Sequence, residues 1–414
     1  MIERDDDKNI YVLEKDWKAF HKNDTCGGPE QIDIKGKKAV EGIFSSISDL
    51  KDDQCMTRRI KGYNKSGQST VESEGYLPFG GEAEFRQTAR YHKNLLRFTQ
   101  DINFRKGTTV DRHFSVGSMK LPGLFNRFTI VPPAQHQTEG GDVHVREIPK
   151  WQGKDIMVGH WHRPPLSLIF HRKDGIDLEI GTGFDLWRWE QNLGYYPESG
   201  SYKVMLTEQG LELIREPLAC CEEYEPEQRN YRFTWYFAWQ DRKKKNKLPD
   251  HDTHYVPFKN AGKEVDFERL KRELTEREKG DKPTYLNLNI IRGLAWSDKE
   301  ASVPSSQAYC CGLAADEICW EAGFVVRRLK KIMRRLSEIE GIEGIVLEGV
   351  DPSICYNPSH VDRKNVMGMV HWDIGSVFDF FSWLENHVKG RFPIFLQPNE
   401  ESLDLPSING FFSC

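Results

Sequence analysis

The sequence predicts a multidomain α+β protein, in which an antiparallel β-sandwich of the jelly-roll type is followed by an α/β region. Three observations support this prediction. The chain has 414 residues, which is long enough for more than one hydrophobic core. Between residues 76 and 240, short runs of alternating apolar and polar residues are separated by Gly, Pro and Asp, as is typical of antiparallel strands. Beyond residue 250, strand patterns alternate with helical patterns, as is typical of an α/β layer.

Composition favours a folded protein with little attraction to polyanions. Hydrophobic residues make up 38% of the chain and charged residues 29%, so large cores can form. The formal net charge is −5, and nucleic acid is therefore not an expected partner. No segment reaches the roughly 18 apolar residues of a membrane-spanning helix, so no membrane partner is expected either.

The N-terminal sequence and the cysteine pattern indicate the cellular compartment. The N-terminal sequence MIERDDDKNIYVLEKDW lacks the apolar centre of a signal peptide, which predicts a cytoplasmic protein, or an extracellular one if a signal has been removed. The nine cysteines show no CxxC spacing, and an odd number leaves at least one thiol unpaired in a monomer. Both features favour a reducing compartment, while the oligomeric state stays open.

The first 240 residues are predicted to form an arm and a sandwich. Residues 1–75 are polar, and we interpret them as an arm or an elaboration of the next domain, with one short helix at 37–50. The β-sandwich is predicted at 76–240. Its expected strands lie at 95–104, 127–131, 165–170, 176–180, 202–206 and 231–237.

The remaining residues are predicted to form a hinge and the α/β region. The basic run DRKKKNK begins a solvated hinge at 241–250, and the α/β region follows at 251–414. Expected helices lie within 256–278, 314–340 and 377–388, and expected strands at 283–291, 345–347 and 392–396. The helix within 314–340 has a basic outer side, which we interpret as its solvated side.

The candidate chemistry lies in residues 158–181, VGHWHRPPLSLIFHRKDGIDLEIG. In a strand, the spacing of two places His160 and His162 on the same face, and Asp177 and Glu179 have the same relationship. Two such faces on nearby strands of one sheet would converge on a cleft that binds a sugar chain and moves protons on it. The alternative is that these residues form the wet face of an ordinary antiparallel sheet.

This stretch resembles a known group of enzymes. The combination GHWHRPPLSLIFHRKDG is similar to a pattern of polysaccharide-lyase-like proteins with a concanavalin-type jelly roll, and GEAEFRQ at 81–87 resembles the strand that opens their substrate cleft. The resemblance covers about residues 76 to 216. The chain departs from the pattern at His160, where the family has Gln.

The resemblance implies β-elimination on a polysaccharide that contains uronic acid, so the expected partner is an acidic polysaccharide or other glycan. His160 or His162 would remove the proton α to the carboxylate, since the pKa of histidine lies near neutrality. Tyr202 or Tyr196 would protonate the leaving oxygen. The implied catalytic residues are therefore His160, His162, Tyr202 and Tyr196.

The same resemblance implies a set of substrate-binding residues. Arg86 and Arg90 would hold the substrate carboxylate by bidentate contacts. The whole expected set is Glu84, Arg86, Arg90, Asp177 and Glu179. No cofactor is expected.

Other interpretations stay open. The same jelly roll could bind a glycan or a protein without performing chemistry. The segment 176–181 also resembles the strand of retaining β-glucanases, but Gly175 stands where their nucleophilic carboxylate would be, which argues against a retaining glycosidase. A phosphodiesterase-type site in the α/β region would use Glu348, Asp351 and His371.

Four potential metal ligands lie close together in DHDTH at 250–254. Adjacent residues in a loop rarely complete a coordination shell, so no metal is expected.

Overall fold

In a computed structural model of the chain, two compact units are present, Met1–Lys243 and Lys244–Cys414. The structure describes residues 1–23, 28–46, 56–65, 67–77, 83–107, 110–111, 115–131, 144–161, 165–182, 201–216, 223–224, 230–244, 249–260, 263–277, 282–290, 318–320, 322–350, 354–355, 371–372, 374–388, 391–397 and 405–409.

The first unit consists of two large antiparallel sheets, sheet A and sheet B. Its described strands are β1 (Ile2–Arg4), β2 (Ile10–Leu13), β3 (Trp17–His21), β4 (Gln31–Ile34), β5 (Lys37–Ser46), β6 (Met56–Lys65), β7 (Gln68–Leu77), β8 (Ala83–His92), β9 (Leu95–Phe104), β10 (Val110–Asp111), β11 (Ser115–Pro122), β12 (Phe125–Val131), β13 (His144–Glu147), β14 (Ile156–Trp161), β15 (Ser167–Arg172), β16 (Ile176–Thr182), β17 (Ser201–Thr207), β18 (Gly210–Glu216), β19 (Glu223–Tyr224) and β20 (Asn230–Asp241).

Each large sheet has nine strands within the described residues. Sheet A has the order β1-β2-β3-β4-β5-β11-β18-β17-β14, and sheet B has the order β13-β12-β15-β16-β20-β9-β8-β7-β6. A separate pair joins β10 and β19. A short 3-10 turn, Arg242–Lys244, follows β20 at the boundary of the unit.

The inner faces of the two sheets pack together into one apolar core, because the strands alternate inward apolar residues with outward polar ones. Sheet A contributes Ile10, Val12, Trp17, Ile32, Val40, Met119, Leu121, Val204 and Leu213. Sheet B contributes Val71, Tyr91, Phe98, Phe128, Phe170, Leu178, Ile180, Trp235 and Phe237. The predicted antiparallel sandwich is therefore confirmed.

Residues 1–75 contribute strands to both sheets. The short helix predicted at 37–50 is wrong, because Lys37–Ser46 is strand β5, paired with β4 on one side and β11 on the other. Its residues Ala39, Val40 and Ile43 are buried in the core. Burial against the facing sheet thus decides the conformation over the local helical pattern.

The second unit contains a parallel sheet, and the predicted α/β region is confirmed. Its strands are β21 (Asp252–Tyr255), β22 (Phe258–Lys259), β23 (Glu264–Val265), β24 (Thr284–Asn289), β25 (Gly344–Glu348), β26 (Ile354–Cys355), β27 (His371–Trp372) and β28 (Ile394–Gln397). Its helices are α1 (Phe267–Glu276), α2 (Gly323–Ser337), α3 (Ile374–Val388) and α4 (Pro406–Asn409).

The parallel sheet has the order β21-β24-β25-β28, which follows the order of the chain. Helices α1, α2 and α3 each lie between two of these strands in sequence. The order of the described strands therefore contains no reversal, which is the feature that marks a topological switch point in doubly wound sheets. Among the described helices, none is long and apolar enough to cross a bilayer.

Candidate functional site

The outer face of sheet B carries a cluster of charged side chains on strands β6 to β9, which we call the charged face. The strand register brings these residues to one side of the sheet, opposite the apolar core. Its members are Arg59, Lys61, Tyr63, Glu72, Glu74, Tyr76, Glu84, Arg86, Thr88, Arg90, Arg97, Thr99, Asp101 and Asn103.

Ion pairs and hydrogen bonds connect the middle of the charged face. Lys61 Nζ lies 2.7 Å from Glu72 Oε2, and the Tyr63 hydroxyl donates to Glu72 Oε1 at 2.6 Å. The hydrogen bond from Lys61, together with that from Tyr63, lowers the pKa of Glu72. The same bond with Glu72 raises the pKa of Tyr63. Glu72 is therefore held as a carboxylate near neutral pH.

An open cavity of about 280 Å³ lies on this face. It is lined by Arg59, Lys61, Glu72, Ser73, Glu74, Arg86, Gln87, Thr88 and Asp101. The Arg86 side chain is 82% exposed, and its Nε lies 4.0 Å from Glu74 Oε2. The lining is almost entirely polar, so this cavity suits a hydrophilic ligand.

Two tyrosines lie on the charged face, on neighbouring strands. Lys61 Nζ lies 5.5 Å from the ring centroid of Tyr63 on β6, over the face of the ring. Arg58 Nη1, on β6, donates to the hydroxyl of Tyr76 on β7 at 2.7 Å, and the guanidinium carbon lies 5.2 Å from that ring's centroid. Each ring is thus oriented by a neighbouring cation.

Three of the expected substrate-binding residues, Glu84, Arg86 and Arg90, share this face. All three are exposed on β8, and the cross-strand register places them opposite Tyr76, Glu74 and Thr70 of β7. The sequence spacing of two thus produces one exposed row, as expected for a strand.

The expected residue Asp177 lies on the outer side of β16 but is only 2% exposed. Its Oδ1 lies 2.8 Å from His171 Nδ1 and 3.0 Å from Arg242 Nε. His171 Nε2 lies in turn 2.8 Å from the Thr129 hydroxyl. Because a carboxylate only accepts, Nδ1 donates to it, and in the neutral ring Nε2 accepts from Thr129.

The expected residue Glu179 is also buried, with 0% exposure. Its Oε1 accepts hydrogen bonds from the hydroxyls of Tyr236 at 2.7 Å and Ser167 at 3.0 Å. Both buried carboxylates therefore receive donors from neighbouring strands, as buried charges require.

The expected acid and base do not lie together. His160 on β14 is exposed and pairs with Lys203, whereas Tyr202 on β17 pairs with Trp161 and is 3% exposed within the core. Directly opposite residues in an antiparallel pair share a face, so His160 and Tyr202 lie on opposite sides of sheet A. His162 and Tyr196 lie outside the described residues.

The expected convergence of the two polar stretches on one sheet is wrong. Strand β14, which carries His160, is the last strand of sheet A, whereas β16, which carries Asp177 and Glu179, lies inside sheet B. The alternation within each strand was visible in the sequence, but the assignment of strands to sheets depends on long-range pairing.

In the second unit, Glu348 lies at the C-terminal end of β25. Its two carboxylate oxygens accept hydrogen bonds from Asn287 Nδ2 at 2.5 Å and Asn289 Nδ2 at 2.8 Å. Both asparagines lie near the C-terminal end of the adjacent strand β24. Asp351 and the His371 side chain lie outside the described residues.

The four potential ligands in 250–254 have separate partners. Asp250 pairs with Lys282 at 2.8 Å, Asp252 with Arg277 at 3.0 Å and His254 with Glu273 at 3.1 Å. His251 Nδ1 lies 2.8 Å from the Pro249 carbonyl. The four side chains are thus engaged in different contacts.

Sequence reasoning missed His171 and the residues of β6 and β7. In HRKDGID, the Asp-Gly turn signal sets a hairpin register in which His171 opposes Asp177. Alternating residues in TRRIKGYNK and in STVESEGY likewise predict two neighbouring strands, and these are β6 and β7.

No known protein family and no curated protein matches the sequence. Among solved structures, the chain is similar to the Slr1438 protein from Synechocystis sp. PCC 6803, with 10% identity, TM-score 0.39, and coverage of 57% of this chain and 97% of the other. The GH36 α-galactosidase AgaA from Geobacillus stearothermophilus, in complex with stachyose, has 6% identity, TM-score 0.40, and coverage of 98% and 74%.

A further similar structure is the α-N-acetylgalactosaminidase NagBb from Bifidobacterium bifidum, with 9% identity, TM-score 0.33, and coverage of 96% of this chain and 77% of the other. None of these three structures is described as a polysaccharide lyase. At such TM-scores the similarities carry no argument about activity.

Proposed function

We propose that the first unit binds an acidic glycan on the charged face. The observation that carries this proposal is the exposed row on β8, where Arg86 lines a polar cavity and Arg90 lies on the same face. Guanidinium groups donate in a planar fork that matches carboxylate and sulfate oxygens.

Charge on the face favours an anionic ligand. Cations outnumber carboxylates among the residues that define it. The cations are Arg59, Lys61, Arg86, Arg90 and Arg97, and the carboxylates are Glu72, Glu74, Glu84 and Asp101. Carboxylates accept hydrogen bonds from sugar hydroxyls, while the cations neutralise the acidic groups of the glycan.

An exposed aromatic ring completes the proposed binding surface. Tyr63 is 36% exposed, and its hydroxyl is fixed by Glu72. A ring held in this way can cover the apolar face of a sugar at small cost in side-chain entropy.

The proposal is one of binding without β-elimination on the charged face. A lyase needs a base and an acid within hydrogen-bond reach of one substrate. His160 and Tyr202 belong to sheet A and lie on its two opposite sides.

The test is a calorimetric titration of the whole protein with polyuronate, sulfated and neutral glycans. We expect the double variant Arg86→Ala/Arg90→Ala to weaken binding of the acidic glycan by at least about tenfold, because each lost charged hydrogen bond contributes about 1.5–3 kcal/mol. Raising the salt concentration should weaken native binding as well.

The matched control is Lys18→Ala/Lys38→Ala, which removes two exposed cations from sheet A, 56% and 40% exposed. This variant should bind like the native chain. Equal losses in both double variants, or no binding of any acidic glycan, would contradict the proposal. Release of unsaturated uronate, followed by its ultraviolet absorbance, would indicate a lyase instead.

A second candidate function is hydrolysis at the C-terminal edge of the parallel sheet. The specific observation is the Glu348 carboxylate, which is oriented by Asn287 and Asn289. Parallel α/β sheets bind ligands at this edge, and a positioned carboxylate can act there as a general acid or base.

This second proposal is tested with Glu348→Gln, assayed on chromogenic glycosides and phosphodiesters. Glutamine keeps the shape of the side chain but removes its proton-transfer role. Hydrolysis by the native chain that is lost in Glu348→Gln, but kept in Glu343→Gln, would support it. Glu343 is a suitable control because it directly precedes β25, at the end of the strand opposite Glu348, and accepts from the Thr284 backbone N–H at 2.6 Å. Unchanged hydrolysis in Glu348→Gln would reject the assignment.

A further inference from the structure

A buried cation lies between the two sheets of the first unit, apart from the charged face. Arg215 on β18 is only 1% exposed. Its guanidinium carbon lies 5.6 Å from the ring centroid of Tyr202 and 5.9 Å from that of Trp235. Tyr202 comes from sheet A and Trp235 from sheet B, and both are buried as well.

The Arg215 guanidinium has no acceptor among the described residues. Its Nε, Nη1 and Nη2 atoms are all buried without a hydrogen-bond partner. Burial lowers the pKa of Arg215, and the nearby Tyr202 opposes this shift. An unpaired buried charge is strongly unfavourable, so this position calls for a counter-charge.

The two rings that contact Arg215 carry further hydrogen-bond donors. Trp235 Nε1 and the Tyr202 hydroxyl are also buried without partners in the described part of the chain. Guanidinium and indole nitrogens only donate, and a hydroxyl can donate. Ser118 Oγ already accepts from the Arg215 backbone N–H at 3.0 Å.

Two of these donors approach the same point. A Cβ built on Gly117 would lie 2.8 Å from Trp235 Nε1 and 3.2 Å from Arg215 Nη1. Gly117 has φ +64, where glycine is the favoured residue, and a side chain at this position would collide with Trp235 Nε1. A ligand that bridges the two donors must be small and must accept several hydrogen bonds at once.

We propose that Arg215, Trp235 and Tyr202 form a buried site for a small inorganic anion, with chloride as the ligand. A single spherical anion satisfies donors that arrive from both sheets and neutralises the guanidinium. The site is structural, since it holds the two sheets together at a polar position of the core.

The direct test is a crystal structure of the protein with sodium bromide in place of chloride. Bromide replaces chloride chemically and gives an anomalous signal. We expect an anomalous peak within hydrogen-bond distance of the Arg215 guanidinium and of Trp235 Nε1. A native structure in bromide without a peak at Arg215 would overturn the proposal.

The test in solution compares thermal unfolding in sodium chloride and sodium gluconate at equal ionic strength. Anion binding to the folded state should raise Tm by about 2–4 °C, with saturation as chloride increases. Arg215→Met should lose this response and should still fold, because an apolar chain of similar length removes an unpaired charge. A response of equal size in Arg215→Met would also overturn the proposal.

The matched control is Arg172→Met. Arg172 is buried to a similar degree, but it is paired with Asp174 at 2.8 Å and donates to the Lys38 carbonyl at 3.2 Å. It should keep the chloride response while losing stability. If Arg215→Met does not fold, Trp235→Phe provides the second variant, and a several-fold weaker chloride dependence is then the expected result, while an unchanged dependence would count against the site.

Discussion

At the scale of single residues, His21 illustrates how burial sets a pH limit on the sandwich. The side chain is 4% exposed, and its Nε2 contacts the Tyr91 hydroxyl. Burial lowers the pKa of His21 from 6.5 to about 3. Between these values the unfolded chain binds a proton that the folded chain does not. Stability should therefore fall as the pH decreases through this window, by up to about 1.4 kcal/mol per unit.

The measurement is urea unfolding of the native chain and of His21→Gln between pH 7 and pH 4. Glutamine cannot take up this proton, so the variant should lose less stability on acidification. His144→Gln, on exposed strand β13, should follow the native profile. A His21→Gln profile parallel to the native one would show that other groups determine the acid sensitivity.

Gly181 packs closely against the Tyr236 ring, whose hydroxyl hydrogen-bonds to the buried Glu179 carboxylate. A Cβ at this position would lie 1.9 Å from Tyr236 Cε1, and the Tyr236 hydroxyl donates to Glu179. We expect Gly181→Ala to destabilise the protein by about 1–3 kcal/mol, because the ring must move away from Glu179. Thermal unfolding measures the loss. Tyr236→Leu introduced together with Gly181→Ala should cost less than the sum of the two single changes, and full additivity would contradict this explanation.

At the scale of elements, strand positions follow closely from the sequence. Strand β9 was predicted at 95–104 and is observed at Leu95–Phe104, because its alternating residues match one buried face. Strand β16 is harder to predict because both of its faces are buried. Leu178 is buried on one face and Asp177 on the other. His171, which hydrogen-bonds to Asp177, lies across the same hairpin, but the ion pair with Arg242 joins Asp177 to a residue far along the chain. Local patterns do not report such pairing.

Helix α2 supports the interpretation of its basic side as solvated. The apolar stripe is buried, including Leu329 at 0% exposure, whereas Lys331 is exposed. Lys330 and Arg334 lie 5.3 Å from the Trp383 ring of α3, so part of the basic side packs on an aromatic surface.

The corresponding prediction compares two substitutions on α2. Leu329→Ala should destabilise the second unit by about 2–5 kcal/mol through the cavity that it leaves. Lys331→Ala should change stability by less than about 0.5 kcal/mol. Chemical unfolding followed by circular dichroism distinguishes the two. Similar losses in both variants would mean that the exposed side of α2 is also packed.

At the scale of the whole molecule, the two units each have their own core, and the boundary falls between Lys243 and Lys244. Both lysines are exposed, in the turn Arg242–Lys244. A cut there breaks no strand of either unit, since β20 ends at Asp241 and β21 begins at Asp252. Boundaries of this kind are preferred sites of proteolysis.

Brief trypsin treatment should therefore cleave the native chain first after Lys243 or Lys244, as read by mass spectrometry of the fragments. The N-terminal fragment should keep the circular dichroism of a β-sandwich, because its two sheets share one core without the second unit. Lys243→Gln/Lys244→Gln/Lys245→Gln should slow this cut, while Arg242 is retained because it contacts Asp177 at 3.0 Å. A first cut within sheet A or sheet B, or an N-terminal fragment that unfolds on release, would show that the sandwich depends on the rest of the chain.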